Sequence, residues 1–116
     1  MANEANKINL EEKLKYYIES ITKSIKVDQI ILFGSFAKGN PHKYSDIDIA
    51  VVSSELDPTK SRLSNIRKVK EKTNLLDPDL QLFAFSSETF ENELGYDESF
   101  IREIKNTGKV IYSVKS

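Results

Sequence analysis

The chain has 116 residues, a formal net charge of −1, a single histidine and no cysteine. That length holds one domain with one modest core. The composition excludes disulfides, thiolate metal sites, a cysteine nucleophile and a histidine-rich zinc centre, and the balanced charge draws the molecule to neither nucleic acid nor a membrane surface.

Residues 1–8 read as a flexible tail, and residues 9–116 as the single domain. The polar opening carries no apolar secretion signal, and no apolar run approaches the roughly 20 residues that span a bilayer. The expected compartment is therefore the cytoplasm. Asn9 and Glu12 have the spacing of a capping box. Leu10, Leu14, Tyr17, Ile18, Ile21 and Ile25 then recur at helical spacing, which predicts an amphipathic helix over 10–25. A short buried strand follows over 27–33. A polar loop over 34–45 holds two glycines and a proline, and a second strand covers 46–52. Asp57-Pro58 reads as an N-cap followed by proline at the first helical position, which opens a helix over 58–73. A third strand is expected over 80–85 and a short helix over 87–93. A further helix carries Phe100, Ile101 and Ile104 and ends at Gly108. The last strand, 109–114, belongs at a sheet edge.

Helices alternate with strands, so the expected fold class is α/β (α+β), a small mixed sheet flanked by helices. A helical crossover of this length makes strands two and three parallel. The link between strands one and two is compatible with either direction.

The chemistry concentrates in residues 34–52. The first strand runs into Gly34-Ser35, where a residue without a side chain lets a phosphate approach the backbone and a hydroxyl adds a donor. The second strand opens Ser45-Asp46-Ile47-Asp48. Strand residues two apart share a face at about 7 Å, so Asp46 and Asp48 point the same way. Two carboxylates on one face repel unless a cation sits between them, and Mg²⁺ is bound through such oxygens together with phosphates. Other features carry less. His42 and Lys43 read as solvated loop. Lys60, Arg62, Arg67, Lys68, Lys70 and Lys72 make the 58–73 helix basic. No aromatic residues are interleaved there, so an exposed helix face is favoured over a nucleic-acid surface. Tyr16, Tyr17, Phe83, Phe85, Phe90 and Phe100 are read as core or interface.

Leu32-Phe33-Gly34-Ser35 followed by Tyr44-Ser45-Asp46-Ile47-Asp48-Ile49 resembles the hallmark of the DNA polymerase β-like nucleotidyltransferase superfamily. The likeness is closest to its small stand-alone members, the antitoxin-type minimal nucleotidyltransferases. Phe100 to Ile104 and Thr107 to Tyr112 resemble their closing helix and strand. The resemblance implies a polymerase β palm-like fold. It implies two Mg²⁺ ions held by three carboxylates, with Asp46, Asp48 and Asp79 as catalytic and metal-binding residues. Gly34, Ser35, Lys38 and Ser45 would bind the nucleotide. The third carboxylate has two candidates. Asp79 opens the third strand and is the assignment adopted. Aligning on Phe85 to Phe90 instead puts the acidic position at Gln81, which leaves the site one charge short. Phe36 stands where relatives often carry arginine, so Lys38 is the cation nearest the phosphates.

The implied activity is transfer of a nucleoside monophosphate, AMP favoured, from a triphosphate to a hydroxyl acceptor, with release of pyrophosphate. No acceptor-binding domain is present, so a partner chain or a second copy would complete the site. Domains of this type are often encoded beside a small helical HEPN protein that they modify or mask. The alternative is a catalytically weak or inactive module of the same fold that neutralises a partner by binding it.

Overall fold

The computed structural model describes residues 2–39 and 46–114. The elements in chain order are α1 (Ala2–Ser24), β1 (Gln29–Phe33), α2 (Gly34–Lys38), β2 (Ile47–Ser53), α3 (Arg62–Thr73), β3 (Leu80–Ser86), α4 (Ser87–Asn92), a 3₁₀ turn (Gly95–Asp97), α5 (Glu98–Thr107) and β4 (Lys109–Ser113). The four strands form one sheet in the order β3-β2-β1-β4. β1 pairs antiparallel with both β2 and β4, and β2 pairs parallel with β3 through the α3 crossover. The expected parallel pair and the expected edge position of the last strand are both present. The link left open in the sequence is antiparallel.

β2 is buried along its whole length except at Asp48. That is why its sequence is a nearly continuous apolar run: a central strand is covered on both faces. On one face α1 and α3 pack Tyr17, Ile21 and Val69 against Ile30, Leu32, Ile47, Ile49, Val51 and Leu82. On the other, α4 and α5 pack Phe90, Ile101 and Ile104 against Ile31, Phe33, Ala50, Val52 and Phe85. Each such large side chain contributes about 1.5–3 kcal/mol by leaving water. Gly108 joins α5 to β4 where a Cβ would crowd the Ile104 carbonyl and the Ile31 side chain.

Several boundaries differ from the sequence reading: the expected loop over 34–45 opens with the short helix α2, strand ends shift by one or two residues, and two helices start elsewhere. α1 begins at Ala2, so Asn9 is interior to the helix and residues 2–8 form its first turns. No glycine or proline stands there to stop the helix. α3 begins at Arg62 rather than 58. Ser61 is its N-cap and accepts the Ser64 N–H. Asp57 instead accepts the N–H (2.8 Å) and hydroxyl (2.6 Å) of Thr59. A side chain that closes its own local turn is no longer available to cap a helix.

Candidate active site

The sheet register assembles the site. Asp48 lies opposite Phe33 on β1 and opposite Gln81 on β3. It thus stands in the middle of three strands at the end where β1 passes into α2. Gly34 has φ +75°, a left-handed conformation that L side chains rarely adopt. A Cβ at Gly34 would overlap Oδ2 of Asp48 and come within 3.1 Å of its Cγ. The Gly-Ser turn and the second carboxylate, read separately in the sequence, are therefore in direct contact. The opening turn of α2 leaves N–H groups without partners inside the helix, and Ser35 is half-buried beside them. Lys38 is exposed at the other end of α2, which Gly39 terminates.

Asp46 is exposed one residue before β2, whereas Asp48 is half-buried. Burial raises the Asp48 carboxyl above its ordinary value of 3.8, and the charge of Asp46 adds to the rise. No cation or hydrogen-bond donor among the described residues offsets either effect. A carboxylate that is desolvated and repelled by its neighbour fits a cation-binding position, because a bound cation removes both penalties. Among the described residues no group of three acids lies together as a metal site.

The two candidates for the third position have different surroundings. Asp79 precedes β3 in a turn closed by Leu80 N–H on the Asp77 carbonyl (3.1 Å) and by Asp79 N–H on the Asp77 side chain (2.9 Å). The Asp79 carboxylate accepts from Lys13 Nζ of α1 at 2.7 Å. Lys13 also reaches Asp77 at 3.3 Å, and the fully buried Tyr17 donates its hydroxyl to Asp77. Asp79 is therefore engaged from the α1 side, and Gln81 is the residue level with Asp48. The turn breaks the two-residue alternation that put Asp79 and Gln81 on one face. Asp79 still serves the site through its backbone, since its carbonyl accepts the Ile47 N–H at 2.8 Å and fixes the start of β2. Ser45 falls outside the described residues, as do His42 and Lys43.

Sequence reasoning missed the surroundings of Asp48. Phe33, Phe83 and Phe100 form a cluster with ring centroids 5.2–5.6 Å apart. Phe33 and Phe83 meet diagonally across β2, Phe33 opposite Asp48 and Phe83 opposite the small Ala50. The Arg62 guanidinium lies over Phe83 and Phe100, 5.7 and 5.2 Å from their centroids, and pairs with Asp97 at 3.2 Å. Phe83 and Phe85 alternate as strand residues, a signal for two side chains on one face. Nothing local links Arg62 to Asp97.

Comparisons with known proteins agree with this architecture. The model of the nucleotidyltransferase domain family matches residues 11–111. A Methanocaldococcus jannaschii protein named "Putative protein adenylyltransferase MJ0141" is 31% identical over 101 residues, covering 87% of this chain and 94% of that protein. A crystal structure described as a "putative nucleotidyltransferase" from Sulfolobus solfataricus superposes with TM-score 0.67 at 15% identity, covering 94% of this chain and 85% of that one. A toxin–antitoxin crystal structure with AMP-PNP superposes with TM-score 0.51 at 22% identity, over 85% of this chain and 72% of that one. At these identities the two structures speak for the fold alone. A family model that spans nearly the whole chain, and a relative of almost the same length, show that this chain belongs to the nucleotidyltransferase domain family.

Proposed function

We propose that this protein transfers a nucleoside monophosphate, AMP in preference, from a nucleoside triphosphate to a hydroxyl acceptor. The observation that carries the reading is the half-buried Asp48 carboxylate, pressed against a glycine that tolerates no side chain and not neutralised by any described residue. Asp46 and Asp48 would hold Mg²⁺, two ions when nucleotide is bound. The metal supplies positive charge to the phosphate oxygens and a template for in-line displacement.

The chain's own residues do the rest. The Gly34 and Ser35 N–H groups and the Ser35 hydroxyl receive the β- and γ-phosphates, and Lys38 at the far end of α2 is the nearest described cation on that element. The backbone of Asp79 keeps the two carboxylates in place through Ile47. The acceptor oxygen bonds to the α-phosphorus. The bond from that phosphorus to the bridging oxygen breaks, pyrophosphate leaves with the electron pair, and the hydroxyl proton passes to solvent. No covalent nucleophile is needed, and the work is positioning and charge stabilisation.

A second reading has its own observation. Gln81 is level with Asp48 while Asp79 is held by Lys13. A site with two acids binds metal more weakly than one with three, which favours a slow transferase or a module that neutralises a partner by binding. Family membership and the fold shared with toxin–antitoxin structures support a protein partner, either a helical HEPN-type toxin or a second copy of this chain. No helix among the described residues is long and apolar enough to cross a membrane, and we place the protein in the cytoplasm.

The test is incubation with α-labelled ATP and Mg²⁺, with pyrophosphate release and label transfer as readouts. Wild-type release that Asp46→Asn and Asp48→Asn abolish supports the transferase. Tight partner binding with no release, or release untouched by both variants, overturns it. Gln81→Glu separates the two readings further: added charge level with Asp48 should tighten Mn²⁺ binding by about tenfold and raise turnover.

A further inference from the structure

The nucleoside half of the substrate has a place on this chain. In a nucleoside triphosphate the ribose and base extend from the α-phosphorus away from the β- and γ-phosphates. On the transferase reading those two phosphates belong at Gly34 and Ser35, which continue β1, and the α-phosphorus belongs at Asp48 on β2. The nucleoside then continues past Asp48 toward β3, the next strand of the sheet.

The face it meets there is aromatic. Exposed Gln81 is level with Asp48, and Phe83 follows two residues along β3, about 7 Å on and on the same face. Asp48 alternates with Ala50 and Val52, so it shares the sheet face on which Phe33, Phe83 and Phe100 gather. Phe33 is directly opposite Asp48, and its ring lies 5.4 Å from that of Phe83 and 5.6 Å from that of Phe100. The cluster therefore begins beside the carboxylate and runs one diagonal step away from it.

The cluster is not sealed as a core is. Phe33 is buried, but Phe83 and Phe100 are partly exposed, and the Arg62 guanidinium lies over both rings, 5.7 and 5.2 Å from their centroids. Arg62 pairs with Asp97 at 3.2 Å while 37% of its side chain stays exposed. The charge of Arg62 is thus offset, and a further anion would meet Asp97. A neutral, flat, aromatic ligand suits such a place. Aromatic side chains hold a base by its π-face, and a planar guanidinium stacks as well and donates N–H groups in a fixed fork. The two fused rings of a purine cover more of this surface than the single ring of a pyrimidine, and purine N3 and N7 accept from such donors.

We propose that Phe83, Phe100 and Arg62 form the base subsite, and that they select a purine. The base packs against the exposed parts of the two rings, with the Arg62 guanidinium at its side and the ribose over Gln81. The proposal rests on the transferase reading for the position of the phosphates, and its test separates the two.

The probes are the α,β-methylene analogues of ATP and CTP and inorganic tripolyphosphate, each titrated with Mg²⁺ into wild type, Arg62→Lys and Phe100→Leu. The lysine keeps the charge facing Asp97, and the leucine keeps most of the apolar bulk, so both variants should fold. Wild type should bind the ATP analogue about tenfold more tightly than the CTP analogue. Each variant should weaken the ATP analogue about tenfold and change tripolyphosphate affinity by less than about twofold. In the wild-type complex the adenine H8 or H2 proton should show nuclear Overhauser contacts to the Phe83 or Phe100 ring. Equal binding of the two analogues overturns the proposal. So do unchanged ATP-analogue affinity in both variants, an equal loss for tripolyphosphate, and base contacts confined to other residues. Asp48→Asn should weaken all three probes. If it does while Arg62→Lys and Phe100→Leu weaken none, the base subsite falls and the phosphate and metal site stands. If the two variants weaken the ATP analogue while Asp48→Asn leaves every probe unchanged, the base subsite stands and the transferase reading falls.

Discussion

Asp48 is the residue on which most of the proposed chemistry turns, and its environment gives a signed prediction. Its carboxyl is raised above 3.8 by burial and then by Asp46, so the folded state holds its proton more tightly than the unfolded chain. Stability is therefore lost as pH rises from 3.8 through the raised folded value, and the loss is complete above it. Asp48→Asn removes that loss. Its melting temperature should exceed wild type at pH 7. The gain should vanish at pH 3, while metal-dependent turnover is abolished at every pH. Thermal melts at the two pH values decide it, and a variant that melts lower than wild type at pH 7 would mean the carboxylate has a structural partner.

Gly34 makes the matching case. Gly34→Ala places a Cβ at φ +75° into the Asp48 carboxylate. Strain of about 1–3 kcal/mol and at least a tenfold loss of ATP affinity are expected by denaturant titration and calorimetry. The sequence singled out both residues. It could not show that they touch, because they belong to different strands and only the register of β1 on β2 brings them together.

Among the elements, α1 does more than cover one face of the sheet. Lys13 and Tyr17 hold the turn at Asp77 and Asp79, and the Asp79 carbonyl holds the start of β2. Burial alone would raise the Asp77 carboxyl. Hydrogen bonds from Tyr17, the Asp79 N–H and Lys13, with the Lys13 charge, outweigh that and leave it below 3.8. A lowered carboxyl contributes stability that is present above 3.8 and is lost as pH falls through the folded value. Tyr17→Phe removes one of those bonds. It should cost about 1–3 kcal/mol at pH 7 and less at pH 3, where Asp77 takes up a proton. Urea melts at both pH values test this, and an equal loss at both would assign the cost to packing. The same latch sets the surroundings of Asp79 apart from those of Gln81. The two-residue period that suggested Asp79 holds only inside a strand, and the Asp77 turn ends before the strand begins.

At the scale of the molecule, Asp48 sits on a central strand between two separate cores and Asp46 immediately precedes that strand, so metal and nucleotide binding should stabilise the whole domain. A ligand present at 100 times its dissociation constant adds about 2.7 kcal/mol, which for a domain of this size corresponds to several degrees. Mg²⁺ with a non-hydrolysable ATP analogue should therefore raise the wild-type melting temperature, and should fail to do so in the Asp46→Asn, Asp48→Asn double variant. A rise of the same size in the double variant would place nucleotide binding away from this site. The architecture that makes this coupling possible was legible from the order of elements. The apolar run of β2 required cover on both faces, and the α3 crossover required β2 and β3 to be parallel, as they are.

The sequence by itself determined the elements of the sheet, the parallel crossover and the glycine turn. Each of these is written in contacts between near neighbours, where spacing along the chain fixes spacing in space. Tertiary structure alone decided that β1 and β2 are antiparallel, that Gly34 lies against Asp48, that Lys13 takes Asp79 and leaves Gln81 level with Asp48, and that Arg62 crosses to Phe83, Phe100 and Asp97. Those pairings join residues from different elements. Their geometry follows from strand register and helix packing, which no local period along the chain encodes.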